Sequence, residues 1–463
     1  MISTNRYKKV LLIVPPFYRL FGGRNNWLHL GLSYIAGVLD TNGIFVRIYN
    51  TDYSDIERDV DLQDIFKRYD EFTGVINNKE HPIWKEIGDK IREFNPDLVG
   101  ITLVFSVTVK SAINIAKLIK EINSNIKVVV GGPHATLLSN ETLSIKEFDY
   151  LIRGEGEYTM LELISNKKLN EIDGLSYKID GVIYHNKDRE LNTELDKLTY
   201  PNPELQLIPI KDLKNNFGII ATSRGCNRRC VFCSSPRLWK RKVRFRSISN
   251  VIGEILYRKN RYNVTKFYFS DDSFNANIFR GKSLCKSIIS NHLNIEYFCE
   301  ANIKPFDVEL AHLLKESGCI RVKLGMESGN DRILKLMKKD ITSNDILKTC
   351  NLLKKYRIPM TLYIMIGMIS ETIEEIEDTY NLVKSINPDY VSLSIATPQI
   401  GSELGEMAEK EEIRLISNYW ESYFHQSMKS VLNNNITNEI VEKFLLLNKK
   451  YENLPPYELS LGD

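Results

Sequence analysis

The chain has 463 residues, enough for two or three domains with sizeable cores. Charged residues make up 26% and the hydrophobic set 43%, a globular composition that excludes a disordered or collagen-like chain. The 62 basic and 59 acidic side chains nearly cancel, which argues against a dedicated nucleic-acid or membrane surface. No apolar run approaches the ~20 residues of a membrane span. The opening MISTNRYKKVLLIVPPF lacks a signal peptide's apolar block and cleavage site, so a cytoplasmic protein is expected.

The first part alternates short β-branched runs with helical segments. Strands are predicted at Val10–Val14, Phe45–Tyr49, Leu98–Val104 and Val128–Val130, with a helix around Leu30–Asp40. Between the last two strands, VTVKSAINIAKLIKEI carries apolar residues at helical spacing, and Gly131-Gly132-Pro133 ends the fourth strand. Strands separated by helices predict a parallel, doubly wound sheet. The polar segment from Thr51 to Glu80 reads as an insertion with some helix. GLSYKIDGVIYHN then alternates around Asp180-Gly181, a two-residue hairpin signal, and Pro201, Pro203 and Pro209 mark a linker.

A second β/α series begins near Phe217. Its predicted strands are Gly218–Ser223, Lys266–Ser270, Ile295–Cys299, Arg321–Met326, Met360–Met368 and Tyr390–Ala396. FDVELAHLLKESG and EEIEDTYNLVKSI are helical stretches between them, and the set suits a partial barrel of parallel strands. After Gly401 the strand signals stop and the tail reads as helices. The expected organisation is a sheet domain over 1–170, a hairpin and linker over 171–212, a barrel over 213–400 and a helical region over 401–463.

Seven cysteines are too few for a disulfide scaffold of this size, and three of them fall within SRGCNRRCVFCSSP, at Cys226, Cys230 and Cys233. A loop of this length brings three thiolates around one centre. Structural zinc sites are usually closed by four ligands, and the nearest downstream candidates, Cys285 and His292, lie on or near a predicted helix. A four-iron cluster on three cysteines leaves one iron open to a ligand that is not protein. Iron–sulfur is the favoured reading, and a zinc-binding interaction protein is the alternative. Cys285, Cys299, Cys319 and Cys350 fall on predicted elements, where buried, inert thiols are the default.

TSRGCNRRCVFCSSP, with VRFRS downstream, resembles the radical S-adenosylmethionine (SAM) enzymes that carry an N-terminal cobalamin-binding-type domain. So do SDDSF, LGMESGNDRIL and GMISET and, in the N-terminal half, VVVGGPHAT and IRGEGEYT. The resemblance implies that Cys226, Cys230 and Cys233 hold a [4Fe–4S] cluster whose open iron binds the amine and carboxylate of SAM. Reductive cleavage then gives a 5′-deoxyadenosyl radical that takes a hydrogen atom from the substrate. Phe232 matches the family's aromatic beside the third cysteine and is expected against adenine. Asp271 and Asp272 end the second barrel strand, where the superfamily recognises the SAM ammonium; an N-cap of the following helix is the other reading. Gly325, Glu327 and Ser328, followed by Gly329, resemble the family's GxESG turn, which meets the ribose or methionyl group. Gly367, a further SAM contact that the resemblance implies, and Glu371 sit in GMISET, where the family more often has a proline-containing GxPxET, and Asn302 stands where many members carry arginine.

In the N-terminal domain no G-x-G-x-x-G follows the first strand, which argues against a nicotinamide cofactor. The resemblance instead implies cobalamin beyond the strand ends, near Gly131, Gly132, Pro133, His134, Gly154, Glu155 and Gly156, with Phe105, Ser106 and Thr108 lining one face. The Asp-x-His-x-x-Gly signature of many cobalamin proteins is absent, so a cobalt without a protein histidine below it is expected. RLWKRKVRFR places Arg237, Lys240, Arg241, Lys242, Arg244 and Arg246 after the cysteine loop, where they suit an acidic electron donor such as flavodoxin or ferredoxin, or an anionic substrate. The function implied is methylation of an unactivated carbon of a small molecule or peptide. Rearrangement, cyclisation or ring contraction without methyl transfer is the alternative. No nucleic-acid partner is expected.

Overall fold

The computed structural model describes residues 5–55, 58–59, 62–410, 425–426, 428 and 430–451. The chain divides into two compact units, one formed by residues 1–60 and 68–211 and the other by 61–67 and 212–463.

The first unit is built on β1 (Lys9–Val14), β2 (Phe45–Asn50), β3 (Leu98–Thr102), β4 (Lys127–Gly131), β5 (Tyr150–Ile152), β6 (Leu175–Ile179) and β7 (Val182–His185). They form one sheet in the order β2-β1-β3-β4-β5-β6-β7. The first five strands are parallel, and the order turns back on itself between β1 and β3, as in a doubly wound fold. Leu98–Thr102 is buried along its whole length, because helices cover both faces of such a sheet.

The parallel part of the sheet is flanked on both sides. The predicted hairpin is present, with Asp180 and Gly181 at φ 50° and 81° in its turn, but it is no free-standing spacer. β6 pairs antiparallel with β5, Ile152 against Leu175, and covers the backbone groups that a three-residue edge strand would expose. On the other edge the linker runs beside β2, where Leu207 N donates to Ile48 O at 2.7 Å. Within the polar insertion the chain is helical from Leu62 to Asn77; its residues 56–57 and 60–61 lie outside the described set.

The second unit holds β8 (Ile219–Ile220), β9 (Lys266–Phe269), β10 (Glu296–Ala301), β11 (Cys319–Glu327), β12 (Met360–Ile366) and β13 (Tyr390–Ile395). Their spatial order is their chain order and every pairing is parallel. With right-handed crossovers and no reversal of order, all connecting helices fall on one face and the sheet curls into a partial barrel.

One expectation is corrected here. The first barrel strand, read as Gly218–Ser223, is only two residues long. At Thr222 and Ser223 the backbone N–H groups turn to the Asp271 carboxylate at 2.6 and 2.7 Å, and Ser223–Arg224 pairs antiparallel with Arg244–Phe245. Such a short strand needs other support. Arg258, fully buried on the helix Ile248–Tyr262, donates to Phe217 O and Ile219 O at 2.6 and 2.7 Å and to Glu254. Arg246 donates to Glu254 at 2.5 Å and to Ala221 O at 2.9 Å.

The helical tail covers the far edge of the barrel sheet. Helices run over Glu403–Glu409 and Asn438–Leu445, and residues 411–424 and 452–463 of the region expected to be helical lie outside the described residues. Asn448 bonds both the N–H and the C=O of Val391 in β13, at 2.9 and 2.7 Å. Among the described residues no helix is long and apolar enough to cross a membrane.

Glu254→Ala would strand two buried guanidinium groups, a change that typically costs about 3–5 kcal/mol. The C-terminal unit is expected to unfold at correspondingly lower urea while the N-terminal unit is unaffected. A shift below about 1 kcal/mol would show that the ion triad does not hold the first strand.

Candidate functional site

Beyond Arg224 the chain leaves the sheet as an irregular loop, and Cys226, Cys230 and Cys233 are half-buried free thiols along it. All three line one cavity of about 170 Å³, with Phe232, Asp272, Gly325, Glu327 and Lys339 among its other walls. Burial pushes the thiols up, Cys230 to about 11, opposed by Lys339 at Cys226 and Cys230 and by Ser235 at Cys233. Thiols held in this way ionise readily only when a bound cation takes up their charge. Thiols spread around a shared cavity suit three corners of an iron–sulfur cube, so the residues present fit a [4Fe–4S] cluster.

The two adjacent aspartates take different positions. Asp271 is buried beneath the loop, where it accepts the Thr222 and Ser223 N–H groups and the Thr222 hydroxyl at 2.5 Å. It is not among the cavity walls. Asp272 is a cavity wall, and its carboxylate accepts Gly225 N at 3.0 Å and Ser235 Oγ at 2.8 Å, one on each side of the cysteine run. Neither caps the next helix, because Asn277 does so, accepting from Arg280 N. The helix-cap reading is therefore corrected.

At the end of β11 a bulge between Gly325 and Glu327 turns the Glu327 side chain into the cavity, with its backbone at φ 63°. Glu327 pairs there with Lys339 at 2.6 Å. A Cβ at Gly325 would stand 2.7 Å from both partners, so glycine is what lets this ion pair close. Burial pulls Lys339 down, but Glu327 and Cys230 more than offset it and the amine is held above its usual range. Ser328 faces away from the cavity: its hydroxyl meets Thr379 Oγ1 at 3.1 Å and accepts Asn330 N at 3.2 Å. Gly367, at φ 88°, is likewise outside the cavity walls, and its N–H is held by Glu371 at 2.6 Å.

Sequence reasoning missed Lys339, Glu300, Lys323 and Tyr363, all cavity walls. The available signal was alternation: Glu300, Lys323 and Tyr363 sit at inward positions of apolar strands, where polar residues need a reason. Lys323 is 3% exposed and its amine stands 5.6–5.9 Å from the rings of Tyr268, Phe298 and Tyr363. Glu300 accepts from the Tyr268 and Tyr363 hydroxyls. The basic run after the loop is also not one surface, since Arg244 and Arg246 are buried and Arg237 pairs with Glu406 at 2.8 Å.

In the first unit the expected residues gather beyond the carboxyl ends of β3, β4 and β5. Gly132, at φ 105°, crosses the β3 loop so closely that a Cβ would stand 2.8 Å from Leu103 O. That crossing brings His134 Nδ1 within 3.1 Å of Ser106 Oγ, and burial pushes the imidazole down to about 4, so it is neutral at neutral pH. Thr108 bonds back to Phe105 O at 2.8 Å. Thr136 bonds the Gly154 N–H at 3.0 Å, and Glu155 accepts Asn192 N at 2.7 Å. Phe105 is 54% exposed and a Cβ at Gly154 would meet open space, so the loops at these strand ends leave room for cobalamin and the residues present fit it.

Residues 220–383 match the radical SAM superfamily and residues 24–164 match the B12 binding domain. An uncharacterized methyltransferase of Pyrococcus horikoshii, PH0819, is 32% identical over 90% of this chain and 86% of its own length. The chain belongs to the cobalamin-dependent radical SAM enzymes. The cytidylyl-2-hydroxyethylphosphonate methyltransferase of Streptomyces wedmorensis is 28% identical over 87% of this chain and 82% of its own. The radical SAM methyltransferase TsrM of Kitasatospora setae shares the fold, with a TM-score of 0.70 at 16% identity over 95% of this chain and 89% of that one. The family's cofactors are a [4Fe–4S] cluster, SAM and cobalamin, and membership removes the zinc-binding interaction protein as a reading.

Glu371 gives this radical SAM unit a pH signature. It is buried with one oxygen unpartnered among the described residues, and burial pushes its carboxyl up to about 7 against the pull of the Met368 and Gly367 N–H groups. Its folded value lies above the unfolded one, so between about pH 4.5 and 7 the native state binds the extra proton. Stability is therefore expected to fall as pH rises through that window. Glu371→Gln should flatten the fall in urea melts taken at several pH values; an unchanged slope would assign it elsewhere.

Proposed function

We propose that this enzyme methylates an unactivated carbon of a small molecule or peptide. The single observation that carries the reading is the joining, in one chain of methyltransferase relatives, of a three-thiol cavity and a B12-type sheet. Bound there, the cluster and SAM supply a carbon-centred radical that opens a substrate C–H bond, and cobalamin supplies a transferable methyl group.

The chain's own residues prepare that chemistry. Cys226, Cys230 and Cys233 hold the cluster on a loop that Asp271 and Asp272 fasten at both ends. As walls of the same cavity, Asp272 would take the SAM ammonium, Phe232 would pack against adenine, and the Glu327–Lys339 pair would meet the ribose or the methionyl carboxylate. Ser328 and Gly367 shape the turns behind these groups. In the first unit Gly131–His134 and Gly154–Gly156 cradle cobalamin against Phe105, Ser106 and Thr108. His134, neutral and bonded to Ser106, serves the cradle and not the cobalt. A reducible cluster suits a reducing compartment such as the cytoplasm, with an acidic flavodoxin or ferredoxin as the electron donor.

Anaerobically reconstituted protein is expected to hold four irons and to cleave SAM to 5′-deoxyadenosine with a strong reductant. Replacing Cys226, Cys230 and Cys233 together by Ala should abolish both while the N-terminal sheet stays folded by circular dichroism; cleavage retained in that variant overturns the assignment. A product that gains a methyl group separates this reading from rearrangement, cyclisation or ring contraction. Asp272→Asn is expected to weaken SAM binding by about ten- to a hundredfold at equal iron content, the scale of one charge-assisted hydrogen bond. Equal affinity with lower thermal stability would confine Asp272 to fastening the loop.

A further inference from the structure

The cysteine loop has a second side. Asn227, Arg228 and Arg229, which lie between Cys226 and Cys230, also form the wall of an open groove of about 760 Å³. Arg228 is a wall of both this groove and the cysteine cavity. Lys304, Lys335 and Lys338 line the groove opposite, so five cations face three carboxylates.

Those carboxylates are already engaged. Asp345 holds Lys304 at 3.1 Å, Asp340 stands 3.7 Å from Arg228, and Asp331 accepts Ser343 N at 2.7 Å. Lys338 reaches Glu403 at 2.6 Å, whereas Arg229 and Lys335 have no anionic partner among the described residues. Arg229, Lys304, Lys335 and Lys338 are all exposed. The groove is thus open to solvent with a net excess of cations, two of which, Arg229 and Lys335, have no anionic partner among the described residues, on the back of the loop that carries the cluster ligands.

Resting on the proposed reductive chemistry, we infer that this groove docks the acidic protein that delivers the electron. An exposed, mixed-charge wall steers and orients a protein partner, whereas tight capture of a small anion calls for enclosed donors. The location decides the kind of partner. Arg229 is the chain neighbour of Cys230, one peptide unit or 3.80 Å between Cα atoms, so a carrier seated on Arg229 lies one residue from a cluster ligand. The opposite side of the loop stays open to SAM and substrate. The carrier loses one electron; that electron is consumed when the 5′ carbon–sulfur bond of SAM breaks and methionine leaves. The basic run at 237–246 offers less, because Arg244 is 8% and Arg246 5% exposed and Arg237 already holds Glu406.

The test compares two reductants on the reconstituted full chain: reduced flavodoxin and dithionite, each driving formation of 5′-deoxyadenosine. The combined variant Arg229→Glu, Lys335→Glu and Lys338→Glu is expected to lose at least tenfold of the flavodoxin-driven rate at low ionic strength and to lose its salt dependence. Its iron content and dithionite-driven rate should match the parent. Where charge reversal prevents iron loading, Lys335→Gln with Lys338→Gln, away from the loop, should still lower the flavodoxin-driven rate about threefold, the scale of weakened steering. An unchanged flavodoxin rate overturns the proposal. So does an equal loss with dithionite at full iron content, which would make the groove part of the substrate site. A loss confined to Lys240→Glu, Arg241→Glu and Lys242→Glu would move docking to the other face. Failure of both reductants in the parent protein would strike the proposed function and not the groove.

Discussion

The catalytic half of this protein depends on one buried carboxylate. Asp271 sits under the point where the first barrel strand ends, and it takes two successive backbone N–H groups and a hydroxyl from Thr222 and Ser223. Desolvation raises its pKa and the donors around it oppose that rise, so the site is made for an anion only as long as those donors stay in place. The strand it ends is two residues long and could not hold a loop by ladder bonds alone. Asp271 fixes the exit of the chain, the Glu254 triad fixes its entry, and Asp272 ties Gly225 to Ser235 across the cysteines. A loop with little regular structure is thereby given a defined shape by the chain's own side chains.

The two sheets solve the same problem by opposite topologies. In the first unit the strand order turns back between β1 and β3, helices fall on both faces, and the ligand crevice opens where neighbouring loops diverge. In the second unit the order never turns back, the sheet curls, and side chains at inward positions of β10, β11 and β12 meet in one cavity. Both leave open edges, which the chain closes with its own less regular parts: the hairpin and linker on one sheet, Asn448 on the other.

Local signals were legible and convergent ones were not. Runs such as LVGIT and KVVVG announce buried strands because both faces are covered, and the cysteine spacing announces its own loop. The fates of Asp271 and Asp272 were not separable, because adjacent residues with one chemistry differ only in which way the backbone turns after β9. Ser328 and Gly367 read as ligand contacts from their motifs, yet they stabilise the turns from behind. Lys339 was invisible for a different reason: it lies twelve residues from Glu327, and only the bulge at the end of β11 brings them together.

The polar layer inside the barrel bears on why the cavity exists. Barrels of this kind are ordinarily filled by branched apolar side chains. Here Glu300 is held by two tyrosine hydroxyls, and Lys323 stands among three aromatic rings. Each of these groups would cost several kcal/mol if buried without partners, so each is confined to the position where its partners are. Apolar side chains carry no such restriction and would close over the space beneath the cysteine loop. A fixed polar floor therefore keeps room open under the thiols. The cavity then has its origin in residues that the strand pattern alone would have assigned to the core.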